Sequence, residues 1–214
     1  MRTLTRTTRK PDWNRLYECA AAQEGHFTTA QAAEAGYSPQ LLAKYLGNQR
    51  VMRIRRGIYR LVHFPAGEHE DLVVVWLWTE RTGVFSHETA LALHGLSDVL
   101  PARVHTTLPA GWTQRRLRVP RGVQLHFADV GDHERAWVGA VPVTAVARTL
   151  LDCAAGRVAP DLVRDALEAA VRRGLVVRGA LPVVDAYLNE FFSSVRRKAG
   201  ARLRTSSRRV SRSG

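Results

Sequence analysis

GHFTTAQAAEAGYSPQLLAKYLGNQRVMRIRRGIYRL, residues Gly25 to Leu61, reads as two short capped helices followed by a basic hairpin. Thr28-Thr29-Ala30-Gln31 fits a capping box, in which a Thr hydroxyl and a Gln side chain satisfy the free amides of a helix start. That helix stops near Ala35-Gly36, where glycine allows the left-handed turn. Ser38-Pro39 restarts it, with Ser38 as N-cap and Pro39 at the first helical position. Two helices joined by so short a Gly-containing turn make a helix-turn-helix.

The second helix, Pro39 to Gly47, divides into two faces at 100° per residue. Leu41, Leu42, Tyr45 and Leu46 gather on one side, and Gln40, Ala43, Lys44 and Gly47 on the other. Small residues beside a Gln and a Lys suit a face that enters a major groove, where Gln pairs with adenine and Lys with guanine or phosphate. Val51-Met52-Arg53-Ile54 and Ile58-Tyr59-Arg60-Leu61 are strand-like runs around Arg55-Arg56-Gly57. A glycine turn beside two arginines makes a basic wing, placed to meet phosphates or a minor groove. Each part alone is ordinary protein surface. In this order they read as a winged helix-turn-helix whose partner is double-stranded DNA.

Outward from this stretch, Asp12 to Gln23 reads as a helix with Trp13, Leu16, Tyr17 and Ala20 on its inner stripe. Pro65-Ala66-Gly67 reads as a linker. Beyond it, Glu68 to Arg81 is expected to be a buried helix, and His87 to about His94 a helix capped by Ser86 and ended by Gly95. Arg103–Leu108 and Val123–Phe127 alternate as strands do. Thr144 is expected to cap a helix running to Ala154. Two more helices follow, one through Leu162 to Val171 and one from about Ala180 to Phe192. The expected fold class is α+β, an N-terminal winged helix-turn-helix followed by a small α/β domain. The boundaries are a basic tail at 1–11, the head at 12–62, the body at 63–192 and a basic disordered tail at 193–214.

The net charge of +13 is concentrated at the ends. Residues 1–10 hold four basic side chains and residues 195–214 hold eight, with no acidic residue in either, so the ends carry twelve of the thirteen charges. Residues 11–62 are +3 and residues 63–194 are −2. A basic head on a slightly acidic body fits a DNA reader attached to a domain with another task.

The basic N-terminus is not followed by an apolar core, so it does not read as a signal peptide. The longest apolar run, Leu72 to Trp78, is seven residues, against the ~20 that span a bilayer. A cytoplasmic, nucleoid-associated protein with no membrane partner is expected. Cys19 and Cys153 read as buried thiols of such a protein.

No cofactor, metal or catalytic site is expected from the motifs. Lysine occurs only at positions 10, 44 and 198, so neither a phosphate-binding Gly-Lys-Ser/Thr loop nor a Glu-x-Lys nuclease motif is present. Ser86-His87-Glu88 holds triad residue types, but neighbours on one helix point about 100° apart and form no relay. His87, His94, His105, His126 and His133 show no i, i+4 pair of the kind that holds zinc on a helix.

The chain resembles the AbiEi-type antitoxins of abortive-infection, type IV toxin–antitoxin systems. The head does so through GHFTTAQAAEAGYS (Gly25–Ser38) and the RxxRGxYxL pattern ending at Leu61. The body does so through FSHETALALHGLSDVLP (Phe85–Pro101), VHTTLPAG (Val104–Gly111), VQLHFADV (Val123–Val130) and VPVTAVARTLLDCA (Val141–Ala154). The resemblance implies a transcriptional autorepressor that binds inverted repeats in its own promoter and counters a nucleotidyltransferase-like toxin without requiring direct contact. It places the DNA face at Thr29, Gln40, Lys44, Arg53, Arg55 and Arg56, beside the helix-capping Ser38. Arg148 and Asp152, one turn apart, read either as a structural pair or as a functional surface. The alternative is a winged-helix regulator whose body senses a ligand or protein and has no toxin partner.

Overall fold

The computed structural model describes residues 10–98 and 100–193. The two basic tails expected at the ends lie almost wholly outside these residues. The described chain is α+β, with two sheets and two groups of helices.

The head begins with α1 (Trp13–Ala21), whose N-cap Asp12 accepts a hydrogen bond from the Arg15 amide. Leu16 and Ala20 are fully buried. Trp13 and Tyr17, expected on the inner stripe, are 39% and 46% exposed, because the inward face of a nine-residue helix is narrow and these rings lie at its margins. β1 (His26–Thr28) leads into α2 (Thr29–Glu34), and the capping box forms as expected, with Thr28 and Gln31 satisfying each other's backbone amides. Gly36, at φ +85°, makes the turn. Ser38 caps α3 (Pro39–Gly47) by accepting from Leu41 N at 3.2 Å. β2 (Val51–Arg55) and β3 (Ile58–Leu61) form the hairpin, and β3 also pairs with β1, so the head sheet runs β1-β3-β2. This is the topology of a winged helix-turn-helix.

Linker residues 65–67 lead to α4 (Glu70–Trp78), whose Val73, Val74, Val75 and Leu77 are buried. A helix apolar all round must be covered on every side. Here one apolar cluster joins α4 to Ile58 of the wing and to Phe85, Val141 and Val143 of the body. Arg60 ion-pairs with Glu70, and Glu24 accepts the His69 amide, so polar contacts cross the same seam.

The body sheet has the order β6-β5-β4-β8-β7, built from β4 (Val84–Phe85), β5 (Val104–Leu108), β6 (Val123–Phe127), β7 (Arg135–Val138) and β8 (Val141–Thr144). Its β5–β6 and β4–β8 pairs are parallel and the other two antiparallel. α5 (His87–Leu93), α6 (Val146–Ala155), α7 (Pro160–Arg172) and α8 (182–193) share a second core centred on Leu91, Leu150, Cys153, Val163 and Val184. No described helix is long and apolar enough to cross a membrane.

Two expected caps are used differently. Ser86 precedes α5, but its hydroxyl makes no cap and instead meets His87 Nδ1 at 2.9 Å and Thr107 Oγ1 at 2.8 Å. Thr144 is the last residue of β8, Ala145 stands at the start of α6, and Thr144 Oγ1 lies 2.7 Å from Thr149 Oγ1. In both places the hydroxyl bonds to a tertiary neighbour within the core rather than to a free helical amide.

Candidate functional site

The two faces expected on α3 separate cleanly. Leu42 is buried and Leu41, Tyr45 and Leu46 are half-buried against the head core, while Gln40, Ala43, Lys44 and Gly47 are exposed. Tyr45 packs edge-on against Tyr37 and tilts against Trp13, which sets the rotation of α3 about its axis.

The wing is exposed at Arg53, Arg55 and Arg56. A register shift between Arg53 and Arg55 opposes Arg53 to Tyr59 and Arg55 to Ile58. Such a bulge bends the strand and re-aims its side chains. Gly57, at φ +79°, supplies the left-handed residue of the turn. Its carbonyl accepts Thr29 N at 3.0 Å and Thr29 Oγ1 at 3.4 Å, tying the wing tip to the start of α2. Behind the wing, Tyr59 stacks on buried Phe27 at 5.8 Å between centroids.

Gln40, Lys44, Arg53, Arg55 and Arg56 thus project from α3 and the wing of one head, and the arginine guanidinium groups make no ion pair among the described residues. Such a surface is free to contact phosphates and base edges. Thr29 and Ser38 are also exposed, with the Thr29 hydroxyl donating to the Gly57 carbonyl and the Ser38 hydroxyl capping α3.

Residues 14–62 match the AbiEi antitoxin family of transcriptional regulators. The AbiEi match covers the helix-turn-helix and the wing and stops at the end of β3. The crystal structure of the RV2827C protein from Mycobacterium tuberculosis is similar at 17% identity and a TM-score of 0.44, covering 85% of this chain and 82% of that one. No curated protein matches the chain.

Beyond the AbiEi-like head, the body holds two polar constellations. Arg148 bonds Asp152 at 2.7 Å and Glu134 at 2.8 Å, clasping α6 to the turn before β7. The pair one turn apart therefore forms a partly buried structural clasp. Burial pushes the Asp152 carboxyl up despite Arg148, and its Oδ2 is buried with no hydrogen-bond partner among the described residues.

The second constellation is His87, His105 and His126. Burial first, and the neighbouring histidines second, hold His87 down to about 3; the same causes bring His126 to about 4. His105 is also lowered, mainly by burial, with Glu88 opposing. The i, i+4 rule that argued against a metal applies to one helix, whereas these three come from α5, β5 and β6. The parallel register sets His126 opposite Thr107, two residues along β5 from His105, so both rings share one face of the sheet. Only strand pairing discloses this.

Proposed function

We propose that this chain is a DNA-binding transcriptional autorepressor and the antitoxin of a type IV, AbiE-like toxin–antitoxin system. In this reading it binds inverted repeats in its own promoter and counters a nucleotidyltransferase-like toxin, and it is not an enzyme. The observation that carries the reading is the exposed set Gln40 and Lys44 on α3 beside Arg53, Arg55 and Arg56 on the wing. α3 enters the major groove, with Gln40 and Lys44 toward base edges. The wing arginines meet phosphates or the adjacent minor groove and supply salt-sensitive affinity. The regulator family matched by the head supports the same reading.

Gel shifts on the upstream DNA test the DNA-binding half. Co-expression with the adjacent reading frame tests the antitoxin half: rescue of growth from a nucleotidyltransferase-like toxin is expected, and no rescue contradicts it.

A second reading, a regulator whose body senses a ligand, draws on a cleft of about 420 Å³ between head and body, lined by Glu24, His69, Leu72, Leu93, Val104 and Val138. A ligand there would touch both units at once. A change in operator affinity on adding cell metabolites, without any toxin gene nearby, favours this reading.

A further inference from the structure

One ring nitrogen from each of His87, His105 and His126 lies within 4.8 Å of the other two. We propose that these three histidines form a binding site for a divalent transition-metal cation of borderline softness, such as Zn²⁺. Neither the DNA-binding nor the antitoxin reading requires this site.

Three features of the surroundings carry it. First, two of the three imidazoles have one nitrogen held by a neighbouring side chain. His105 Nε2 lies 3.0 Å from Glu88 Oε2, and His87 Nδ1 lies 2.9 Å from Ser86 Oγ, itself bonded by Thr107. Metal-ligating histidines are held in this way, by a carboxylate or hydroxyl on the nitrogen remote from the ion. That leaves His105 Nδ1 and His126 Nε2 facing each other, with a ring nitrogen of His87 as the third donor of the group.

Second, His105 Nδ1 and His126 Nε2 face each other at 3.0 Å, which requires one proton between them. With His105 Nε2–H donated to Glu88, that proton belongs to His126 Nε2. A cation takes its place, and the proton moves to the outer Nδ1 of His126, so both rings stay neutral. Two bonds of ~2.0–2.1 Å at a tetrahedral angle set the nitrogens ~3.3–3.4 Å apart, an opening of a few tenths of an ångström. The His87 ring is stacked on His126, 3.7 Å between centroids and 16° between planes, so it must rotate out of the stack to turn a nitrogen toward the same point.

Third, the backbone is shaped around His87. The residue is 8% exposed and sits at φ +51°, a left-handed conformation that bulky side chains rarely adopt. Gly156 makes room for its ring, because a Cβ there would come within 3.0 Å of Cδ2 and 3.2 Å of Nε2. Arg148 and Arg103 are the cations close enough to act on the cluster. Arg148 is paired with Glu134 and Asp152, Arg103 bonds Gln124, and Glu88 supplies the balancing charge. Three imidazoles leave a fourth position for water.

Titration of the untagged full chain with Zn²⁺ and with Co²⁺ tests the site. Stoichiometric 1:1 binding is expected, with tetrahedral or five-coordinate Co²⁺ absorption and no thiolate charge-transfer band. His105→Ala or His126→Gln, each confirmed folded by circular dichroism, abolishes that binding. Glu88→Ala weakens it ~10–100-fold, and replacement of His63 and His133 together leaves it unchanged. Should the cluster variants fail to fold, zinc-edge X-ray absorption on the loaded wild-type protein reads the ligand set directly, with three imidazoles expected. Absence of stoichiometric binding, full affinity in a folded His126→Gln protein, or fewer than three imidazoles on the ion overturns the proposal.

Discussion

The backbone amide of Thr29 donates to the carbonyl of Gly57 at 3.0 Å, fixing the wing tip to the start of α2. Wing and helix-turn-helix are therefore joined by the backbone as well as through their shared apolar core. Gly57 holds φ +79°, which costs a residue with a Cβ ~1–2 kcal/mol. Gly57→Ala is expected to lower stability by about that amount in urea denaturation and to weaken operator binding further by displacing Arg55 and Arg56. Wild-type stability and affinity in this variant would contradict the role given to the turn.

Inside the head, Gln23 and Gln31 pair side chain to side chain, at 2.8 Å one way and 3.3 Å the other. Gln23 Nε2 also reaches His26 O, and Gln31 Oε1 accepts Thr28 N. Both side chains are buried, so removing one leaves an unsatisfied partner at a cost of ~1–3 kcal/mol. Gln23→Ala should show that loss as a lower urea midpoint with the slope unchanged.

Glu70 accepts from Arg60 and from Gly67 N, closing the seam between the wing and α4. Burial acts to raise its carboxyl, but Arg60 and the Gly67 amide together hold it below the usual range. The pair is partly exposed, so its loss costs less than the ~3–5 kcal/mol of a fully buried one. Glu70→Ala is expected to speed amide exchange in β3 and at the N-terminus of α4 while exchange in α7 stays unchanged. Uniform exchange rates in both proteins would remove the latch.

His26 and His94 give the fold an acid limb. Burial lowers both below the ordinary value of 6.5. Each donates one ring N–H to a carbonyl, His26 to Glu24 and His94 to Thr144, which the neutral form satisfies. The unfolded chain takes up protons first as the pH falls, so stability is full above the ordinary histidine value. It is lost as pH drops through 6.5 toward the lower folded values. The urea midpoint, measured with chelator present, should be lower at pH 5.5 than at pH 7.5. His26→Gln with His94→Gln should narrow that difference, the remainder coming from His87, His105 and His126, which are lowered as well; equal wild-type midpoints would refute it.

The head was largely legible in its sequence because its signals are local. Thr28 with Gln31, and Ser38 with Pro39, mark helix starts by chemistry within four residues, and α3 runs over the expected Pro39–Gly47. β1 escaped notice because three residues carry no periodicity and are held by pairing with β3. β7 is likewise a four-residue partner of β8. In the body, Ser86 and Thr144 look like caps locally, but their hydroxyls meet neighbours 21 and five residues away. The histidine cluster joins positions 87, 105 and 126, and no spacing rule for a single element connects them.

The DNA-binding claim is tested most directly by a salt-titrated gel shift of the wild type and the Arg55→Ala, Arg56→Ala double variant on the DNA upstream of its own reading frame. Two lost phosphate contacts should weaken binding across all sequences and flatten the salt dependence by ~1 unit per arginine. Gln40→Ala and Lys44→Ala should instead relax sequence choice, by ~1–3 kcal/mol per lost bidentate contact. Wild-type affinity and salt slope in the double arginine variant would contradict the assignment of the wing.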